Sequence, residues 1–125
     1  MFEVIFYRNK NGEEPVLEYI QGIANRADKD SRIKAQKLLS YIDYLRQTGP
    51  QAKYPYAKHL CGEIWELRPI RDRILYAAWD GQSFILLHHF KKDTRTTPRR
   101  EIEKAERNLA DYRERGKGDE RHIRT

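Results

Sequence analysis

Basic side chains concentrate in the middle of this chain, where they could bind a phosphate backbone. Residues 53–100 carry 10 basic and 5 acidic side chains, whereas residues 1–52 carry 8 and 7 and residues 101–125 carry 7 and 7. A localised excess of cations attracts phosphate polyanions and gains affinity from counterion release. The alternative is a solvated charged face without a ligand. The charge distribution alone favours neither interpretation.

Two short strand-like runs bring arginines close together. In the run 64–68, alternation puts Glu66 and Arg68 on the polar face of a strand. Arg73 opens the next run, where we expect it to reach the sheet edge without deep burial. The turn between the runs lets Arg68 and Arg73 converge. We expect Arg71 to be a solvent-exposed residue of that turn and a substrate contact at most.

A third run ends in two adjacent histidines followed by two lysines. Adjacent residues of a strand point to opposite faces, so only one of His88 and His89 can face a ligand, and the sequence does not decide which. A structural role is the more common one for such a histidine. Lys91 and Lys92 lead into a hydroxyl-rich connector that contains Arg95, and this combination suits phosphate binding.

The acidic side chains predict no metal site. Glu63, Glu66 and Asp72 are scattered over a strand and a turn, without the carboxylate motifs of a magnesium nuclease. A reaction without metal or cofactor is therefore favoured. RNA permits one, because its 2′-hydroxyl attacks the neighbouring phosphorus once a base takes its proton and cations stabilise the developing charge. One well-placed donor is worth on the order of 3 kcal/mol in that transition state.

Hydrophobic periodicity predicts the elements that position these side chains. Residues 2–7 alternate as a strand, Pro15 opens a short amphipathic helix, and a longer helix runs between residues 28 and 48. Residues 51–62 are predicted to form a loop, because they are rich in Tyr, Lys and Pro.

The second half of the chain predicts three strands and a helix. The runs 64–68, 73–79 and 83–90 form an antiparallel meander, and the last two are joined around Asp80-Gly81. Thr97 and Pro98 resemble the N-cap and first residue of a C-terminal helix.

These elements predict one α+β domain over residues 1–114. Its order is βααβββα, with an antiparallel sheet, two N-terminal helices and a C-terminal helix. Residues 115–125 contain two glycines and several charges, and we expect a disordered tail there.

Composition excludes several classes of protein. No stretch approaches the roughly 20 apolar residues of a membrane helix, so no membrane partner is expected. The single cysteine, Cys61, cannot form an internal disulfide and has no zinc-site spacing around it. The N-terminus lacks the positive region of a secretory signal. The sequence therefore predicts a cytoplasmic protein.

An ordered series of short motifs identifies a family resemblance. The series IWELR, RILY, LLHHFKK and TP, at residues 64–68, 73–76, 86–92 and 97–98, resembles the HigB-like, phage-derived branch of the RelE/ParE toxin superfamily. The fragments KHL at 58–60 and EIEKA at 101–105 extend this resemblance, which covers roughly residues 2–115.

The resemblance implies a fold, an activity and partners. The fold would be RelE-like, and the protein would be a toxin of a type II toxin–antitoxin system. It would be a ribosome-dependent endoribonuclease that cleaves messenger RNA without metal or cofactor and so inhibits translation. The implied partners are a cognate HigA-type helix-turn-helix antitoxin, messenger RNA on the ribosome, and operator DNA reached through the antitoxin.

The resemblance also implies roles for individual residues. Arg73 matches the arginine that contacts the scissile phosphate in these toxins, and Arg68 matches a neighbouring basic strand residue. Lys91 and Lys92 match the cationic strand end that lines the same cleft. Glu66 stands where relatives often carry a lysine proposed as general base, so its role as proton acceptor is a hypothesis.

The general acid is not identified, because no tyrosine occurs near Pro98, where some relatives place one. Four residues of the loop before the first central strand could stack a base or donate a proton, and none of them is favoured: Tyr54, Tyr56, Lys58 and His59.

The candidate catalytic residues are Arg73, Arg68, Glu66 and Lys92, and the candidate substrate-binding residues are Lys91, Lys58, His59, Arg71 and Arg95. The alternative is a noncatalytic nucleic-acid-binding or phage-derived regulatory module on the same fold.

Overall fold

Helices cover both faces of a five-stranded sheet in this protein. The computed structural model describes residues 1–123, with side chains described up to residue 115. The strands are β1 (Glu3–Phe6), β2 (Ala57–Cys61), β3 (Ile64–Leu67), β4 (Asp72–Asp80) and β5 (Ser83–Lys91), and the helices are α1 (Pro15–Ala24), α2 (Lys29–Thr48) and α3 (Arg99–Ile123). A short 3-10 turn, Gly49–Gln51, follows α2. Across the sheet the strand order is β1-β5-β4-β3-β2.

The α+β class and the three helices are confirmed, but two predictions about the sheet were wrong. The sheet is mixed, because β1 pairs with β5 in parallel while the other pairs are antiparallel. The predicted loop 51–62 contains β2, which forms the far edge of the sheet beside β3. The element order is therefore βααββββα.

The two N-terminal helices each bury one apolar stripe against the sheet. The buried residues of α1 are Val16, Ile20 and Ile23, and those of α2 are Ala35, Leu38, Ile42 and Leu45. The carboxylate of Asp28 caps α2 by accepting a hydrogen bond from the Ser31 backbone N–H at 2.9 Å. Gly49 ends the helix with a φ of +55°, and a Cβ at this position would overlap the ring of Phe2.

Each face of the sheet has its own core. Leu67, Ile74, Tyr76 and Leu86 pack on the side of α1 and α2. Leu75, Ala77, Ile85 and Leu87 pack on the side of α3, together with Ala105 and Leu109 of that helix. The polar face predicted for β3 is therefore covered as well, because α3 and the connector before α3 lie over that face of the strand.

A bulge in β5 decides which histidine faces which side. The register between β4 and β5 shifts by one residue, leaving Leu87 without a partner. As a result His88 faces α3, where its Nε2 lies 2.7 Å from a carboxylate oxygen of Glu101. His89 faces the other side and stacks on Tyr19 of α1 with ring centroids 3.8 Å apart.

The C-terminal part of the chain leaves one expectation open. The predicted domain boundary at residue 114 stays a prediction. The predicted tail, 115–125, lies almost entirely beyond the residues whose side chains are described, and Arg124 and Thr125 lie outside the described residues. None of the described helices is long and apolar enough to cross a membrane.

Candidate active site

Four polar side chains form a buried cluster on the face of the sheet covered by α3. This guanidinium cluster consists of Glu66, Arg68, Arg73 and Thr97. Arg68 Nη1 donates to Glu66 Oε2 at 2.5 Å, and Arg73 Nε lies 3.9 Å from the same oxygen. Thr97 Oγ1 donates to Glu66 Oε1 at 2.6 Å. One carboxylate, in a residue only 1% exposed, therefore holds two guanidinium groups and ties down the connector before α3.

Arg73 is buried, contrary to the expectation that it would avoid deep burial at the strand start. The residue is 6% exposed, and its Nη1 donates to the backbone oxygens of Ile70 and Asp72 at 2.9 and 2.8 Å. Burial, and then the positive charge of Arg68, lower the pKa of Arg73. Its buried Nε has no hydrogen-bond partner. An unpaired donor on a buried cation is costly, and an anionic ligand would satisfy it.

The turn before β4 fixes the direction of the Arg73 side chain. Ile70 adopts a φ of +55°, a conformation that β-branched residues rarely adopt, and its carbonyl is one of the acceptors for Arg73. Asp72, 3% exposed, accepts from the Tyr19 hydroxyl at 2.7 Å and lies 3.5 Å from Lys34 Nζ. Residues of α1 and α2 thereby hold this turn from the far side of the sheet.

Lysines form the open side of the guanidinium cluster. Lys58 of β2 lies directly opposite Glu66 of β3 and is exposed. Burial, and then the charges of Arg73 and Arg68, lower the pKa of Lys92. Cations therefore outnumber the single carboxylate of the cluster, and the site favours an anion.

The remaining predicted site residues lie outside the four side chains of the guanidinium cluster. Arg71 and Lys91 line a groove of about 510 Å³ at the same end of the sheet, on the side of α2. The other residues that define this groove include Ile33, Lys34, Lys37, Leu38, Ile70 and Lys92. His59 Nε2 lies 2.8 Å from the Gly62 carbonyl oxygen in the turn after β2. Arg95 is exposed in the connector before α3.

The sequence matches the model of a known family over most of this architecture. The family is described as phage derived protein Gp49-like (DUF891), and the match covers residues 26–110. The chain belongs to the Gp49-like family. This is a RelE/ParE-like toxin family, so the resemblance to that superfamily is confirmed, while the HigB-like branch stays a prediction. A search of the curated proteins found no match.

The Gp49-like segment contains every residue of the guanidinium cluster. It begins after α1, so that Tyr19, which supports the turn through Asp72, lies outside the match.

Two features of this Gp49-like protein were missed by sequence reasoning, and a third was left undecided. Thr97 was predicted to cap α3, but its hydroxyl donates to Glu66 instead. The pair formed by His88 and Glu101 depends on the β5 bulge, which leaves no local signal in the sequence. Tyr54 was one of four open candidates, and its ring lies 5.0 Å from the guanidinium carbon of Arg68.

Within the part of the chain that the structure describes, no group of three or more His, Cys, Asp or Glu side chains could hold a metal ion. A reaction without metal or cofactor stays a prediction.

Proposed function

We propose that this Gp49-like protein is a HigB-like toxin, an endoribonuclease that cuts messenger RNA on the ribosome without metal or cofactor. The observation that carries the proposal is the buried guanidinium of Arg73, whose Nε lacks a partner and which shares one carboxylate with Arg68. Fixed cations in a site of low dielectric stabilise the charge that develops on a phosphorane. Membership of a toxin family supports the same function. The proposed partner is a HigA-type antitoxin.

RNA supplies its own nucleophile in the proposed reaction. The 2′-oxygen loses its proton to a base and attacks the neighbouring phosphorus, and the 5′-oxygen leaves with a proton from an acid. The products are a 2′,3′-cyclic phosphate and a 5′-hydroxyl. Arg73 and Arg68 donate to the non-bridging oxygens, where negative charge develops. Lys58 and Lys92 bind the flanking backbone from the open side of the cluster.

The contacts of Glu66 favour a positioning role over the base predicted from sequence. Its Oε2 accepts from Arg68, and its Oε1 accepts from Thr97. A carboxylate that took a proton here would first lose one of these bonds and would leave a buried guanidinium with less compensation. We propose that Glu66 holds Arg68 and Arg73 at the phosphate.

His88 and Glu101 are the proposed pair for proton transfer. His88 lies on the same face as the cluster, and its cross-strand neighbour Leu75 is two residues from Arg73 along β4. The Glu101 carboxylate holds His88 Nε2 at 2.7 Å, which orients the ring and leaves Nδ1 for exchange with the substrate or water. A histidine oriented by a carboxylate is a common general base or acid.

The proposal is tested by expression of the wild type, Arg73→Ala and Arg26→Ala in cells. Arg26 is an exposed arginine between α1 and α2, so its substitution removes the same charge outside the cluster. Growth and primer extension on a reporter message are measured. We expect growth arrest and discrete in-frame cuts from the wild type and Arg26→Ala. Arg73→Ala should cut about 100-fold less or worse, as for the loss of one transition-state donor.

Folding is the control for this experiment. Thermal melting of each purified variant shows whether it retains the folded state, and Arg73→Lys keeps the buried charge if Arg73→Ala does not fold. If the wild type is well expressed but leaves growth and the reporter message intact, the result would instead support the noncatalytic nucleic-acid-binding or regulatory module.

A further inference from the structure

An exposed aromatic ring lies against the guanidinium cluster. Tyr54 lies in the segment that joins α2 to β2 and is 65% exposed. The guanidinium carbon of Arg68 lies 5.0 Å from the centre of its ring. Arg68 in turn donates to Glu66, the carboxylate that also faces Arg73. Arg68 therefore connects the Tyr54 ring to the Glu66 carboxylate and, through it, to Arg73, the proposed phosphate contact.

Hydrogen bonds hold the backbone around Tyr54 in place, so the position of the exposed ring is fixed by the segment that carries it. The Tyr56 carbonyl accepts a hydrogen bond from the Arg68 backbone N–H at 2.9 Å, and the Tyr56 and Ala57 N–H groups donate to the Lys53 carbonyl. The Tyr56 ring packs on Tyr44 of α2, with centroids 4.9 Å apart. Tyr56 anchors the segment through its own ring, whereas the ring of Tyr54 meets the guanidinium of Arg68 and solvent.

We propose that Tyr54 and Arg68 form a stacking site for an unpaired nucleobase beside the scissile phosphate. The proposal rests on the proposed function, because it assigns a subsite of the same cleft. Unpaired bases stack on aromatic rings and on arginine planes, and this stacking tolerates any base. The guanidinium lies over the Tyr54 ring, and the high exposure of the residue leaves room for a base.

The subsite selects nucleotide conformation rather than base identity. A base held on Tyr54 splays one nucleotide out of the strand, while Arg73 binds the adjoining phosphate. Arg68 contributes to both, since it contacts the ring and shares the carboxylate of Glu66. Stacking strength, and not a hydrogen-bond pattern, sets any preference among bases here.

The test uses a short single-stranded RNA that carries 2-aminopurine at one position and 2′-O-methyl groups throughout, so that it is not cut. Stacking quenches 2-aminopurine fluorescence. The wild type, Tyr54→Phe and Tyr54→Leu are titrated, with the fluorophore moved along the strand. We expect quenching at one position with the wild type and Tyr54→Phe. Tyr54→Leu should lose the quenching and bind about tenfold more weakly, with an unchanged dependence on salt because the phosphate contacts remain.

The outcomes separate this subsite from the nuclease itself. Equal quenching by Tyr54→Leu and the wild type would overturn the stacking site, as would binding to the wild type without quenching at any position. If the wild type cuts message in cells but does not bind the oligonucleotide, the stacking site is overturned and the proposed nuclease stands. Failure of both binding and cutting would overturn both proposals. Melting temperatures of both variants within a few degrees of the wild type show that Tyr54 acts on the ligand and not on the fold.

Discussion

The guanidinium cluster and the groove are two cationic regions at the same end of one sheet, on its opposite faces. In the cluster, the side chains of Arg68 and Arg73 are 15% and 7% exposed and face one buried carboxylate. In the groove, Arg71 and Lys91 are exposed to solvent. Cations of the same unit charge thus have unequal effects, because burial and pairing decide how strongly a cation acts on a ligand.

The two regions share the turn that precedes β4. The Asp72 backbone oxygen accepts from Arg73 on the cluster side, while its carboxylate accepts from Tyr19 and faces Lys34 on the groove side. The turn therefore joins a rigid, charge-dense region to a solvated one. Substitutions in the two regions should therefore differ in their effects on stability and activity.

The largest expected effect follows from removal of the shared carboxylate. Glu66→Gln keeps the shape of the side chain but leaves Arg68 and Arg73 buried beside each other without a counterion. We expect the free energy of unfolding to fall by about 3 kcal/mol, measured by urea denaturation at pH 7. The second substitution in Glu66→Gln/Arg68→Gln should restore part of the loss, because it removes the repulsion between the guanidinium groups.

The matched control is Glu63→Gln, which removes an exposed carboxylate paired with Arg113. Exposed ion pairs contribute about 1 kcal/mol or less. Equal losses for Glu63→Gln and Glu66→Gln would mean that the buried cluster is no stronger than a surface pair.

An intermediate effect is expected from the half-buried His89 on the other face. Burial, and then the charge of His88, lower its pKa from 6.5 to about 4, against the opposing field of Asp72. Between these values the unfolded chain binds a proton that the folded protein does not, so stability falls as pH is lowered from about 6.5 to about 4. We expect His89 to account for on the order of 2 kcal/mol of this loss.

The measurement is the pH dependence of urea denaturation for the wild type and His89→Phe. The phenylalanine ring retains the stack on Tyr19 but does not titrate, so the variant should lose less stability over that range. Both proteins contain the same charged neighbours, so the contribution of these neighbours to the pH dependence of stability cancels in the difference. They are His88, Glu101, Asp72 and Lys34. Parallel curves for the two proteins would contradict the prediction.

The smallest effect is expected in the groove. Arg71→Gln/Lys91→Gln removes two exposed cations, whose fields are screened by salt beyond about 10 Å. We expect the yield of message cuts at physiological salt to change by about threefold or less, as these side chains lie outside the cluster. A loss as large as that of Arg73→Ala would place the groove within the active site and end the distinction between the two regions.

Periodicity predicted the helices and four of the five described strands, since their apolar patterns are local properties. It missed β2, because Lys58 and His59 of this edge strand are exposed and the strand lacks an apolar alternation. It also gave the wrong direction for β1, whose pairing with β5 joins residues some 80 positions apart and leaves no local signal.

The site was predicted in part for similar reasons. Glu66, Arg68 and Arg73 were placed together correctly by alternation and a short turn. The burial of Arg73 was not predicted, because the Thr97 connector and α3 come from a distant part of the chain. The position of Lys91 in the groove is likewise a property of the folded sheet end and not of the local sequence.

The single extra residue in β5 has a consequence for how relatives of this chain are aligned. Deletion of Leu87 would restore strict alternation and leave both histidines on their present faces. If Leu87 were retained and the bulge lost, His88 and His89 would each face the other helix layer. Gain or loss of the bulge can therefore exchange a residue of the cleft for one of the core without any substitution. Gaps in β5 have to be placed from strand register, since residue identity alone would misassign the two histidines.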